Sequence, residues 1–235
     1  MNHFFRVLGQ RMRGVPRTFR ELDCSLQLLS VLRAQGWQGS VRQQKPIDQN
    51  ERAIPWYTYS ALEWLKPRVK KSDVVFEYGA GYSTVWFSSH AKEVVSVEGD
   101  ARWLDRIRPH VSTNVTFLLC RPSESSANGN DESQYFKALE EYPPASFDII
   151  AIDGKERVPC AHVAPSRLRD DGVIIFDNSD RPAFAPGIEH LHSQGFGRID
   201  FYGFAAQFGL TICTSVFSKP GSRWINDNVP LVFQG

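Results

Sequence analysis

Five short apolar runs dominate the middle of the chain, between residues 73 and 178. They read VVFEY, EVVSVE, VTFLLC, FDIIAID and GVIIFDN, and segments with helical periodicity separate them. Short runs that are apolar throughout are typical of strands buried on both faces of a parallel sheet. The segments that should form the crossover helices are residues 84–90, 102–108, 133–141 and 160–168. The pattern therefore predicts an α/β fold with a doubly wound, mostly parallel sheet.

Two more strand-like runs, GRIDFYGFA and TICTSVFSK, lie near the carboxyl end of the chain. Only a few residues, beginning AQFG, separate them, and that connection is too short to contain a helix. Strands joined so closely pair in antiparallel fashion. We therefore predict a C-terminal antiparallel hairpin at the edge of the sheet.

The first 55 residues have a different pattern, helical at first and then polar. Thr18 and Glu21 have the spacing of a capping box and open a segment with leucines at helical intervals. Residues 39–55 are polar and include two prolines, which is typical of a linker or of a loop over a site. We predict an N-terminal helical segment with a lid-like loop over residues 1–55, and one larger domain over residues 56–235.

Composition narrows the class of protein. A formal net charge of +1 gives no overall field that would attract nucleic acid. No apolar run approaches the ~20 residues that span a bilayer, and the arginine-rich first twenty residues lack the apolar core of a signal peptide. The four cysteines are far apart and are predicted to be reduced and buried. We therefore expect a cytoplasmic protein, and we make no prediction for its oligomeric state or for its basic N-terminal arm.

A glycine-rich turn, within VFEYGAGYST, follows the first apolar run. Glu77 stands two positions before Gly79, and Gly81 completes a G-x-G. Glycines at this spacing let a chain leave a strand, turn sharply and approach a ligand closely. The second run ends in Glu98, about twenty residues further on, where an acid can accept hydrogen bonds from both hydroxyls of a ribose. Together these features predict a nucleoside-binding site at the ends of the first two strands.

This arrangement resembles the class I S-adenosylmethionine-dependent methyltransferases, over roughly residues 56–219. In that family the loop after the first strand wraps the methionine part of S-adenosyl-L-methionine, and the acid on the second strand contacts the ribose. The resemblance implies a Rossmann-like fold and the methyltransferase activity of the family. The cofactor-binding residues that it implies are Glu77, Gly79, Ala80, Gly81, Ser83, Thr84, Glu98 and Asp153.

A nicotinamide-dependent dehydrogenase is the competing interpretation of the same turn. The dinucleotide fingerprint contains a third glycine, which lets the helix pack closely on the strand. Thr84 stands at that position here. The sequence therefore favours S-adenosylmethionine.

Acidic and amide side chains follow the fourth and fifth apolar runs. Asp153 comes after FDIIAI, and Asp177 and Asn178 end GVIIFDN, so all three should meet at the carboxyl edge of the sheet. This constellation resembles the catechol and caffeoyl-coenzyme A O-methyltransferases, in which such residues hold a divalent cation. The resemblance implies a site for Mg²⁺ formed by Asp153, Asp177 and Asn178. Turn formation at a strand end is the alternative role of the Asp-Asn pair.

Catalytic candidates lie at the end of the fourth strand. Methyl transfer to oxygen is an in-line displacement, so alignment supplies much of the acceleration. A neutral hydroxyl or amine acceptor also needs a base, and Asp153 and Lys155 are the candidates. In the catechol group a lysine stands three residues after the first aspartate, whereas here Lys155 is at plus two and Glu156 at plus three.

The acceptor is predicted to be a small molecule or a glycan, methylated on oxygen. Enzymes that methylate bases commonly carry an Asn/Asp-Pro-Pro-aromatic motif after the fourth strand, and this chain has IDGK there. It also has no basic stripe, so no nucleic-acid partner is expected. The alternatives are a nucleic-acid or protein methyltransferase, and a protein that binds S-adenosylmethionine without catalysis.

Overall fold

A seven-stranded sheet forms the centre of the computed structural model, which describes residues 18–123 and 133–226. The strand order is β3-β2-β1-β4-β5-β7-β6; β1 to β5 are parallel, and β7 runs antiparallel to β5 and β6. The predicted doubly wound sheet with a C-terminal antiparallel hairpin is confirmed. The strands are β1 (Val74–Tyr78), β2 (Glu93–Glu98), β3 (Val115–Leu119), β4 (Phe147–Ile152), β5 (Leu168–Asp177), β6 (Gly197–Phe204) and β7 (Thr211–Ser218).

Helices surround this sheet. The α-helices are α1 (Phe19–Ala34), α2 (Trp37–Gln43), α3 (Tyr59–Leu65), α4 (Tyr82–His90), α5 (Ala101–Ile107), α6 (Gln134–Lys137), α7 (Arg157–Arg167), α8 (Ala185–Ser193) and α9 (Arg223–Asn226). Short 3₁₀ helices cover Arg108–His110, Ala138–Glu141 and Pro182–Phe184. Within the described ranges, no helix combines the length and the apolar character that crossing a membrane requires.

Alternate residues of each central strand enter two separate apolar cores. In β4, Ile150 and Ile152 join a core with α7 and α8, whereas Ile149 and Ala151 join a core with α3 and α4. All four are fully buried. Because successive strand residues point to opposite faces, burial on both faces requires an unbroken apolar run, as the sequence has.

The strand order reverses between β1 and β4, which pair at the centre of the sheet. From β1 the chain proceeds outward to β2 and β3, and from β4 it proceeds outward on the other side. Open α/β sheets bind ligands in the crevice at the carboxyl ends of such neighbouring strands. The residues that directly follow β1, β2 and β4 therefore surround one crevice.

The helix α1 has the predicted capping box but little burial. The hydroxyl of Thr18 accepts the backbone N–H of Glu21 at 3.1 Å, and the Glu21 carboxylate accepts the N–H of Thr18 at 3.3 Å. Leu32 is the buried residue of this helix, whereas Leu22 and Leu26 are 45% and 56% exposed. The helical spacing of the leucines therefore predicted the helix correctly but did not predict that most of these leucines are exposed to solvent. The basic arm before it, residues 1–17, lies outside the described residues.

The polar stretch that was predicted as a loop is shorter than expected, because residues 39–43 belong to α2. Gln44, directly after α2, accepts from the side-chain amide of Gln207 in the connection between β6 and β7 at 3.1 Å, and the tryptophans that flank the stretch contact the same connection. The indole of Trp37 donates to the carbonyl of Phe208 at 2.8 Å, and that of Trp56 donates to the carbonyl of Ala206 at 2.6 Å. The Trp56 ring also stacks on Phe208 with centroids 5.2 Å apart. These contacts hold the segment before α3 beside the crevice.

The four cysteines are free. Cys160 and Cys213 are buried as predicted, and Cys120 is partly buried. Cys24 is exposed, which contradicts the prediction, because it lies on the largely solvent-exposed helix α1.

Candidate functional site

A cleft of about 510 Å³ opens at the carboxyl ends of β1, β2 and β4. Its volume lies within the ~300–1,000 Å³ typical of small-molecule sites. The predicted site residues that line it are Gly79, Ala80, Gly81, Ser83, Glu98, Asp153 and Lys155. Trp56 also lines the cleft, and lining residues that were not predicted include Trp103, Tyr135, Arg157, Arg181 and Phe184.

Glu77 and Thr84 lie beneath the glycine loop and do not line the cleft. The carboxylate of Glu77 accepts hydrogen bonds from the hydroxyls of Thr84 and Ser96, the latter at 2.7 Å. Thr84 in turn accepts the N–H of Gly81 at 2.8 Å. Burial raises the pKa of Glu77 to about 7, although hydrogen bonds from Ser83, Thr84 and Ser96 oppose the shift. Glu77 therefore holds the loop from below.

Glycine is present at the two positions of the G-x-G for different structural reasons. Gly79 has φ +95°, and a Cβ there would lie 2.7 Å from the Cα of Gly154. The ends of β1 and β4 thus approach each other through two glycines. Gly81 has φ −174°, and the nearest atom to a Cβ there would be the Ser83 hydroxyl at 3.8 Å. Gly79 is needed by the fold, whereas Gly81 leaves space in the cleft.

Glu98 is held in place at the end of β2. Its Oε1 accepts the backbone N–H of Gly99 at 2.7 Å and that of Asp100 at 2.9 Å. Its Oε2 makes no hydrogen bond to any residue that the structure describes. The carboxylate is therefore oriented and retains acceptor capacity at the cleft wall.

Trp103, from α5, forms another part of the wall. Its indole N–H donates to the carbonyl of Ala80 at 2.6 Å, which fixes the ring beside the glycine loop. The sequence could have indicated Trp103 as a site residue only because it is aromatic and lies in the first turn of the helix after Glu98. Many aromatic residues at such positions pack in the hydrophobic core and contact no ligand. Tyr135 also lines the cleft, and its hydroxyl accepts the N–H of Lys155 at 3.3 Å.

Asp153 lines the cleft but is already paired. Its Oδ1 accepts from Nη2 of Arg157 at 2.9 Å, and 21% of its side chain is exposed. Burial raises the pKa of Asp153, and the charge of Arg157 opposes that shift. Lys155 is exposed and lines the cleft without forming an ion pair with any described residue.

Asp177 and Asn178 lie behind the cleft and do not line it. The two carboxylate oxygens of Asp177 accept from the Thr214 hydroxyl at 2.6 Å and from the Asn178 amide at 2.7 Å. Burial raises the pKa of Asp177 well above its ordinary value, and the negative charge of Asp153 adds to the effect. Both residues therefore belong to a buried polar network at the end of β5.

The predicted Mg²⁺ site at Asp153, Asp177 and Asn178 is not supported, because the guanidinium of Arg157 lies among its expected ligands. That guanidinium donates to Oδ1 of Asp153, to the carbonyl of Asp177 and, at 3.4 Å, to Oδ1 of Asn178. A hard cation needs those oxygens unshared and directed at one point. In residues 18–123 and 133–226, no group of three or more His, Cys, Asp or Glu side chains could hold a metal.

Glu156, which occupies the position of the catechol group's lysine, has a structural role. It adopts φ +49° at the start of α7. Its carboxylate accepts the backbone N–H of Ser123 at 2.9 Å and the hydroxyls of Ser123 and Ser133. The shift of one position relative to the catechol pattern thus places an acid where it binds Ser123 and Ser133.

Several solved structures share this arrangement of strands and helices. A precorrin-6y C5,15-methyltransferase from Geobacter metallireducens matches with a TM-score of 0.51 at 17% identity, over 74% of this chain and 97% of that one. The chain has the class I methyltransferase fold. A spermidine synthase from Thermotoga maritima matches with a TM-score of 0.50 at 16% identity, over 68% of this chain and 57% of that one.

An rRNA methylase from Streptococcus thermophilus also matches, with a TM-score of 0.49 at 13% identity, over 68% of this chain and 95% of that one. No family model matches the sequence, and no curated protein matches it significantly. The structural similarity establishes the fold alone, and a spermidine synthase shares it. The reaction must therefore be argued from the cleft.

Proposed function

We propose that the protein transfers a methyl group from S-adenosylmethionine to an oxygen of a small-molecule or glycan-type acceptor. The observation that carries this proposal is that one cleft combines the open glycine loop at Gly79–Gly81 with the oriented carboxylate of Glu98. The methyltransferase fold makes the same crevice the expected ligand site.

Each part of the cleft suits one portion of S-adenosylmethionine. The unshared oxygen of Glu98 would accept hydrogen bonds from the ribose hydroxyls. The fixed ring of Trp103 offers an apolar face to the adenine. The space at Gly81 would admit the methionine portion. Glu77 and Thr84 would support this loop from below.

Bound S-adenosylmethionine supplies a methyl group on an activated sulfonium. The residues of the chain would then align the acceptor and exclude water. Of the two predicted bases, Lys155 suits proton removal better, because the carboxylate of Asp153 is bound by Arg157. We assign Asp153 to positioning and Lys155, as the neutral amine, to accepting the proton of a hydroxyl acceptor and becoming the ammonium.

Isothermal titration with S-adenosylmethionine and with S-adenosylhomocysteine tests the first half of the proposal, and one site for each is expected. Formation of S-adenosylhomocysteine in the presence of phenols, carboxylic acids, oligosaccharides or structured RNA tests the second half. Binding without turnover of any acceptor would favour the non-catalytic alternative. Turnover with RNA alone would replace the small-molecule acceptor, and absence of binding would refute the proposal.

A further inference from the structure

We propose that Arg157 is a built-in cation that takes the place of a divalent ion at the ends of β4 and β5. Methyl transfer by this protein then needs no metal, and its acceptor presents a single reacting oxygen rather than a chelating pair. The inference rests on the proposed function, because it concerns the acceptor side of the same cleft.

The guanidinium of Arg157 donates hydrogen bonds to residues at the carboxyl ends of β4 and β5. Nε donates to the carbonyl of Gly154 at 3.0 Å, and Nη2 donates to the carbonyl and Oδ1 of Asp153 at 2.6 and 2.9 Å. Nη1 donates to the carbonyl of Asp177 and reaches Oδ1 of Asn178 at 3.4 Å. An arginine has five N–H donors, and five acceptors surround this one.

This cation is also enclosed. The side chain of Arg157 is 9% exposed, and its Cζ lies 5.1 Å from the ring centroid of Phe184. An arginine keeps its charge at every pH at which proteins are folded. A divalent ion among the same oxygens would stand beside this fixed positive charge, and the repulsion would be strong in a partly buried site.

The carboxylate of Asp177, another part of the expected ligand set, is already engaged. Both carboxylate oxygens of Asp177 accept hydrogen bonds, from Thr214 and from Asn178. The residues that resemble a metal site therefore form a hydrogen-bonded network around a guanidinium instead.

This network has a consequence for the acceptor. A metal ion holds two neighbouring oxygens of a substrate at once, whereas an enclosed guanidinium with its donors satisfied offers no open coordination position. Of the residues that line the cleft, Arg181 is an exposed cation, and Lys155 is the exposed amine that we assign as proton acceptor. We therefore assign to this site an acceptor with one hydroxyl or one carboxylate at the reacting position, and not a vicinal diol.

The first experiment titrates the protein with MnCl₂, with and without S-adenosylhomocysteine, and follows the ion by electron paramagnetic resonance. No site is expected in the wild-type protein. A site that Asp153→Asn or Asp177→Asn removes would overturn the proposal, whereas a site that neither change affects lies elsewhere and leaves the assignment standing.

The second experiment exchanges the cation. Arg157→Met frees the oxygens of Asp153, Asn178 and the Asp177 carbonyl while leaving the acids uncompensated. We expect Mn²⁺ affinity at least about tenfold above that of the wild type, or about 1.4 kcal/mol. Arg157→Lys keeps the charge and should bind no Mn²⁺. A folded Arg157→Met protein without Mn²⁺ affinity, or Mn²⁺ binding by Arg157→Lys, would contradict the exchange of cations.

Circular dichroism establishes whether each variant is folded, and if Arg157→Met is not, the wild-type and Arg157→Lys titrations decide the question. The titration with S-adenosylhomocysteine separates the two proposals. Without such binding the proposed function fails, whatever Mn²⁺ does. If S-adenosylhomocysteine binds and wild-type Mn²⁺ binding depends on Asp153, only the role of Arg157 fails.

Discussion

Gly79 and Gly81 stand two positions apart but should respond differently to substitution. Gly81→Val places a side chain into open space at a φ that any residue adopts, so the fold should survive. The added side chain would occupy the proposed methionine site, and affinity for S-adenosylmethionine should fall at least about tenfold. Calorimetric titration measures the affinity, and unchanged affinity in a folded Gly81→Val protein would contradict the placement of the ligand.

Gly79→Ala is the matched comparison. Its φ of +95° and the 2.7 Å approach of a Cβ to Gly154 make any side chain strained. We expect the free energy of unfolding to fall by about 1–3 kcal/mol. Urea denaturation measures this difference, and a Gly79→Ala protein as stable as the wild type would show that the ends of β1 and β4 separate easily.

Glu98 should matter for binding rather than for stability. A carboxylate that accepts hydroxyl hydrogen bonds contributes about 1.5–3 kcal/mol per charged bond, so Glu98→Ala should weaken S-adenosylmethionine binding at least about tenfold. Glu93→Ala is the control, because Glu93 is exposed at the opposite end of the same strand. Equal affinities for the two variants would remove the ribose assignment.

Among secondary-structure elements, Glu77 connects three, since its carboxylate on β1 binds Thr84 of α4 and Ser96 of β2. Its pKa of about 7 in the folded protein lies above the ordinary 4.5, so the folded state holds the proton more tightly than the unfolded state. The resulting stabilisation is full below pH 4.5 and is lost as the pH rises through 7. The loss is at most about 3 kcal/mol.

Glu77→Gln should remove that part of the pH dependence. The free energy of unfolding, measured by urea denaturation at pH 5 and pH 8, should change less in Glu77→Gln than in the wild type. Glu93→Gln makes the same change at an exposed position and should retain the wild-type pH dependence. Parallel pH profiles of wild type and Glu77→Gln would mean that Glu77 does not titrate with a raised pKa.

For the whole molecule, ligand binding should appear as thermal stabilisation. A ligand at 100 times its dissociation constant stabilises the folded state by about 2.7 kcal/mol. For a chain of this size each kcal/mol raises Tm by about 2–4 °C, so S-adenosylhomocysteine should raise Tm by about 5–11 °C. Differential scanning fluorimetry with NADH is the control for the dehydrogenase alternative. A shift with NADH alone would reverse the choice of ligand.

Local sequence patterns were sufficient to predict the sheet and part of the cleft. Strands buried on both faces need unbroken apolar runs, so β1, β2 and β4 were readable within one or two residues. The turn after β1 brings the backbone against Gly154, so position 79 must be a glycine. Because β1 and β2 are parallel neighbours, an acidic residue at the end of β2 lies near that turn. For these features the residue and its neighbours in sequence carry the constraint.

The role of Arg157 could not be predicted from local sequence patterns. Its position four residues after Asp153 suggests an ion pair, but the contacts with Asp177 and Asn178 exist only because β4 and β5 end side by side. The same strand ends therefore suggested a metal site in the sequence and form a guanidinium network in the structure. A cation and its acceptors are matched by distance across the sheet, which only the tertiary fold defines, whereas the apolar runs that build the sheet are specified along the chain.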